Sequence, residues 1–185
     1  MIDDLIQDAT RRMDKSVEST QVEFNTVRTG RASAALLDRI TVDYYGQSTP
    51  LKQLATINVP EPRMLTVQPF DPSSVKEIER AILESELGLT PSNDGKVIRL
   101  PIPQLTEERR NDLVKIVRQI AEEGRIAIRN VRRDADKHLK DLKTQGNVGE
   151  DDERRAEERV QKITDEHTSK IDDLLKRKEA EITEV

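Results

Sequence analysis

The sequence predicts an α+β fold: a bundle of three long, nearly straight helices with a small β/α/β domain inserted after the first. Three observations predict it. Apolar residues recur at helical spacing over three long stretches, in a chain with only two Phe, two Tyr and no Trp. A block holding Pro50, Pro60, Pro62, Pro69, Pro72 and Pro91 separates the first stretch from the second. Gly146 and Gly149 mark a single tight turn between the second and the third. The domain boundaries follow: residues 1–30 with 105–185 form the bundle, and residues 31–104 form the insertion.

The first helix is expected over residues 2–29. Asp3 and Asp4 suit its positive dipole end, and Gly30 is a natural stop. Its seam is Ile2, Ile6, Ala9, Met13, Val17, Thr20, Phe24 and Val27. In the insertion, 39–45 alternates, with Ile40, Val42 and Tyr44 on one face, and stops at Gly46. Residues 55–59 and 64–70 read as further strands. Ser73 or Ser74 can cap a helix to about Leu87 that Gly88 closes. Ser92-Asn93-Asp94-Gly95 is a turn between two short extended runs.

The second helix is expected from Thr106 to Thr144, with a seam of Leu113, Val117, Ile120, Gly124, Ile128, Val131, Ala135, Leu139 and Leu142. The third runs from about Asp151 nearly to Val185, through Val160, Ile163, His167, Ile171, Leu174, Lys178 and Ile182. All three seams recur every 11 residues. That is ~3.67 residues per turn, which favours nearly straight rods over a left-handed supercoil. The two helices joined by the short turn should pair antiparallel.

Charge is unevenly spread. Residues 106–143 carry 11 basic and 8 acidic side chains; residues 144–185 carry 8 and 13. A stripe of Arg118, Arg125, Arg129, Arg132 and Lys143 lies beside the second helix's seam, interrupted by Asp136. Within 125–133 there are four arginines and no acid, so no i, i+4 partner inside that stretch neutralises them. Arginine suits phosphate because its planar fork donates two hydrogen bonds. The same stripe also reads as ordinary solvated helix surface. No aromatic cluster offers base stacking, so recognition by shape and backbone is the expected mode.

Other function classes find little support. With no cysteine, disulfides, thiolate metal sites and cysteine nucleophiles are excluded. His138 and His167 have no metal-ligand spacing, and His167 falls on a seam, where a packed histidine is expected. There is no Gly-rich phosphate loop, HExxH or G-x-S-x-G. No catalytic residue, metal or cofactor is expected. No apolar run reaches the ~20 residues of a membrane span, so a soluble cytoplasmic protein is expected.

RTGRAS (28–33), PQLTEERRNDLVKIVR (103–118) and IRNVRRDA (128–135) carry a family resemblance. So do LLDRITVDYYG (36–46), TPLKQLA (49–55) and SELGL (85–89). The chain closely resembles the bacterial ribosome recycling factor family over its whole length. The resemblance implies an L-shaped, transfer-RNA-like molecule that enters the ribosome after termination. It implies binding to large-subunit RNA in the tRNA cleft and splitting of the subunits with the GTPase elongation factor G. Arg132 matches the family's central arginine. Arg28, Arg31, Arg125, Arg129 and Arg133 join it as expected RNA-binding residues. Gly30, Arg31 and Ala32 on one connection, with Pro103, Gln104 and Leu105 on the other, form the expected hinge. Ala34 departs from the family's usual GRASP. The alternative is a helical RNA-binding or adaptor module with no role in splitting. A monomer is expected, since three seams can satisfy one another.

Overall fold

Each long amphipathic stretch becomes one helix. The computed structural model describes residues 1–183. Residues 184 and 185, placed at the end of the third helix by the sequence, lie outside the described residues. The chain divides into two units: Met1–Arg28 with Glu108–Thr183, and Thr29–Glu107.

The first unit holds α1 (Ile2–Asn25), α3 (Glu107–Thr144) and α4 (Glu150–Thr183), α3 entering from Glu108. Helix α1 ends four residues short of the expected stop. Thr26 closes it: its N–H donates to Glu23 O at 3.1 Å and its hydroxyl to the same carbonyl at 2.7 Å. Gly30, with φ +79°, therefore serves the chain beyond the helix. Helix α3 ends in a Schellman motif. Gly146 N–H donates to Lys143 O and Asn147 N–H to Leu142 O, each at 3.0 Å, with Gly146 at φ +75°. Four acids open α4, where the helix dipole favours them.

The helices meet along the expected seams. Met13 and Phe24, Leu113, Gly124 and Ala135, and Val160, Ile171 and Ile182 are all buried, 11 residues apart in each set. Several expected seam positions lie at the rim instead: Ile2, Val17, Leu142, Ile163, Leu174 and Lys178 are half-buried, Val27 falls beyond the end of α1, and Ala156 and Thr164 are buried in α4. Ala121 is fully buried, while Ile120 is half-buried at the rim. Polar residues in the seam bond their own helices: Thr20 Oγ1 donates to Ser16 O at 2.8 Å and Thr164 Oγ1 to Val160 O at 2.7 Å. Cross-helix partners fix the directions. Asp3 pairs with Arg159 and Asp14 with His167, so α1 runs parallel to α4. Arg12 pairs with Asp134 and Thr20 lies against Gly124, so α3 is antiparallel to α1. His167 is buried, with Nδ1 2.6 Å from Ile163 O and Nε2 2.6 Å from Asp14 Oδ1.

The second unit is built on a four-stranded antiparallel sheet of β3 (Ala55–Glu61), β4 (Met64–Pro69), β5 (Ser92–Asn93) and β6 (Ile98–Pro101), in the order β3-β4-β6-β5. A separate hairpin pairs β1 (Thr41–Tyr44) with β2 (Gln47–Pro50). Tyr45 and Gly46, at φ +51° and +82°, make its two-residue turn, with the Asp43 carboxylate accepting Gly46 N–H at 3.0 Å. Strand β2 has no apolar alternation and was not legible in the sequence. Helix α2 (Val75–Glu84) buries Val75, Ile78 and Ile82. Its approach is capped by Asp71, which accepts Ser73 N–H at 3.0 Å; neither Ser73 nor Ser74 caps it. It stops three residues before Leu87, where Ser85 Oγ donates to Ile82 O at 2.6 Å. A core of Leu37, Val42, Leu65, Val67, Ile98 and Leu100 completes the unit.

The residues expected to act as a hinge, Gly30–Ala32 and Pro103–Leu105, all lie in this second unit. The two strands touch: a Cβ on Gly30 would stand 2.8 Å from Leu105 Cγ. Ala32 N–H donates to Pro62 O and Ile102 N–H to Arg63 O, both at 2.7 Å.

Candidate nucleic-acid interface

The basic stripe on α3 is set by its angle to the seam. Arg118, Arg125, Arg132 and Lys143 flank the buried face on one side, where α4 lies, and α4 is acidic. Arg118 Nε donates to Glu179 at 2.7 Å, Arg125 Nη2 lies 2.7 Å from Asp172, and Lys143 Nζ lies 3.6 Å from Glu153. These are rungs of an antiparallel charge ladder. Glu122 adds a second partner for Arg125 at 3.2 Å and takes Arg129 Nη2 at 2.6 Å. The expectation of unneutralised arginines is thus corrected for Arg125 and Arg129. Their acids come from one turn before the stretch and from another helix.

Arg132 is different. Rungs 118/179 and 125/172 are seven residues apart on each helix, and the next step of seven sets Arg132 against Asp165. The Asp165 carboxylate instead accepts Gln161 Nε2 at 2.8 Å. No ion pair within 4 Å forms at Arg132 among the described residues, although it is half-buried. Arg133 is exposed and likewise makes none, as is Arg28 just beyond α1. Arg31 is half-buried and belongs to the second unit.

Two residues join the face that the sequence reading passed over. Lys137 and Lys140 stand four and seven positions after Arg133 and are exposed, with no ion pair among the described residues. The signal was available as helical spacing. The electrostatics of the α3–α4 side are mixed. Burial pushes the Asp136 carboxyl up against the pull of Arg132. Glu157 is also pushed up, first by burial and then by the charges of Glu153 and Asp136. Burial disfavours the Arg125 charge, but Asp172 and Glu122 outweigh it and raise its pKa.

No group of three or more potential metal ligands occurs among the described residues. No described helix is long and apolar enough to cross a membrane.

A three-helix unit and a small sheet unit, with an arginine-rich face on α3, define an α+β protein with a candidate polyanion-binding face. The chain belongs to the ribosome recycling factor family, whose model matches residues 20–183. It is 55% identical over 180 residues to the ribosome-recycling factor of Rubrobacter xylanophilus, covering 97% of each chain. It is 55% identical to that of Geobacillus thermodenitrificans over 185 residues, the full length of both. A solution structure of the ribosome recycling factor superposes with TM-score 0.73 at 44% identity, covering 100% of this chain and 98% of that one. A second solved neighbour is the T. thermophilus ribosome recycling factor, in a structure that places it with E. coli elongation factor G on the E. coli post-termination complex. It has TM-score 0.65 and 49% identity over 98% of both chains.

Proposed function

We propose that this chain recycles ribosomes after termination. The α3 face binds large-subunit RNA in the tRNA cleft, and the protein splits the post-termination complex together with elongation factor G and GTP. It works as a cytoplasmic monomer and performs no chemistry itself; GTP hydrolysis belongs to the GTPase. Arg132 is the centre of the face, with Arg133 beside it and Arg28, Arg31 and Arg129 contributing, while Arg125, held by Glu122 and Asp172, supports the face by fastening α3 to α4. The observation that carries this reading is the open rung: Arg132 makes no ion pair within 4 Å among the described residues, and Asp165, which the ladder's seven-residue step sets opposite it, accepts from Gln161 instead. A free guanidinium can grip phosphate through two parallel hydrogen bonds. The two connections, Gly30–Ala32 and Pro103–Leu105, act as a hinge that lets the second unit move while α3 stays bound.

Mixing the protein with post-termination ribosomes, elongation factor G and GTP should yield separated subunits, read by light scattering. Arg132→Ala should weaken binding to large subunits and lower the salt slope by roughly 0.7–0.9, the share of one phosphate contact. Arg125→Ala should chiefly lower the melting temperature of the bundle. Binding of Arg132→Ala that matches the parent at moderate salt refutes the assignment.

A further inference from the structure

Glu122 lies on α3 one turn before Arg125 and two before Arg129. Its Oε1 accepts Arg129 Nη2 at 2.6 Å and its Oε2 accepts Arg125 Nη1 at 3.2 Å. Arg125 also donates from Nε to Asp172 at 2.8 Å. Two arginines and two carboxylates thus close a network of zero formal charge. The Glu122 carboxyl is held below its usual range, first by the Arg129 hydrogen bond and then by that from Arg125. A phosphate approaching Arg129 must displace Glu122 or sit beside its charge. No such carboxylate lies within ion-pair distance of Arg133 among the described residues.

We infer that Glu122 is a built-in counter-anion that masks Arg129 and so weakens the grip of the α3 face on RNA phosphate. This rests on the reading of that face as the RNA surface. Glu122 is a positioning residue, acting through Arg129. When Arg129 turns toward phosphate, Arg125 still holds Glu122 Oε2, so the exchange moves one guanidinium and leaves the α3–α4 rung in place. It is reversible for the same reason, which suits a surface that must bind and then let go.

The test measures equilibrium binding of the full chain to purified bacterial large ribosomal subunits across a potassium chloride series. Glu122→Gln should tighten binding about fivefold, the effect of one unit charge at about 4 Å in a water-like dielectric. It should also steepen the salt slope by about one phosphate contact. Both gains should vanish in an Arg129→Ala background, since the residues act as a pair. Circular dichroism at 222 nm verifies that each variant keeps its helices. Unchanged or weaker binding of Glu122→Gln overturns the inference. So does a gain that survives Arg129→Ala, because the charge would then act as a general field. If Arg132→Ala weakens binding while Glu122→Gln does nothing, the counter-anion fails and the RNA face stands. If Arg132→Ala and Arg129→Ala both bind like the parent, the face itself is wrong and Glu122 falls with it.

Discussion

Gly124→Ala sets two known effects against each other at one atom. In an open helix the change should stabilise by about 1 kcal/mol, because alanine is the better helix former. Here the added Cβ would stand 2.8 Å from Ile171 Cδ1 and closer still to Thr20 Oγ1. Neither neighbour can yield cheaply. Ile171 is 0% exposed and Thr20 is 4% exposed. The Thr20 hydroxyl is tied to Ser16 O at 2.8 Å. Overpacking of this kind costs about 1–3 kcal/mol. The net expectation is a loss of about 1 kcal/mol, or about 2–4 °C in melting temperature for a chain of this size. Thr20→Ala combined with Gly124→Ala removes the closest clash and should recover about 1 kcal/mol over the single variant. Urea unfolding followed at 222 nm gives both numbers. A Gly124→Ala protein more stable than the parent, or two substitutions whose effects simply add, refutes the claim that close approach of α1 and α3 requires glycine.

Asp94 caps its turn by accepting the N–H groups of Lys96 at 3.0 Å and Val97 at 2.8 Å. Those bonds, Val97 first, hold its carboxyl at about 2 against an ordinary 3.8. Because the folded pKa is depressed, the cap contributes fully above pH about 4 and is lost as pH falls through about 2. Amide shifts of Lys96 and Val97 should therefore titrate near pH 2, and a midpoint at the ordinary carboxylate value would contradict the cap. For the proposed hinge, residual dipolar couplings from the two units should require different alignment tensors. One tensor fitting both would show a rigid molecule.

Most of the helical unit was legible because burial on a helix follows a period that a linear sequence displays. The failures have local physical causes. Ile120 reads as a seam residue on hydrophobicity, but its neighbour Ala121 is the one fully buried, where small size rather than apolar area decides. Helix α1 stops at Asn25 because a threonine hydroxyl competes for a backbone carbonyl, a signal weaker in sequence than the later glycine. Strand β2, Gln-Ser-Thr-Pro, exists because β1 and a left-handed turn place it, and its own residues carry no strand pattern. At the candidate interface the arginines were visible and their partners were not. Glu122 could have been read from i, i+3 spacing to Arg125. Asp172 and Glu179 could not, because pairing across two helices depends on a register that only packing fixes.

That register changes what the basic stripe means. Helices of opposite net charge placed side by side will neutralise each other wherever rungs align, so a count of arginines overstates the charge α3 presents. An exposed ion pair is worth roughly 0–1 kcal/mol. Leaving Arg132 out of the ladder therefore sacrifices little stability, while it keeps one guanidinium out of any ion pair beside Arg133, with Asp136 acting on it from beyond ion-pair distance. The opposite choice at Arg125, held by two carboxylates, secures α3 to α4 and removes that charge from the surface. Arg129 stands between these cases, exposed enough to reach a phosphate and restrained by a single acid on its own helix. The stripe is thus graded, with structural arginine, restrained arginine and free arginine within two turns of one helix. Affinity for a polyanion should follow that grading rather than the number of basic residues.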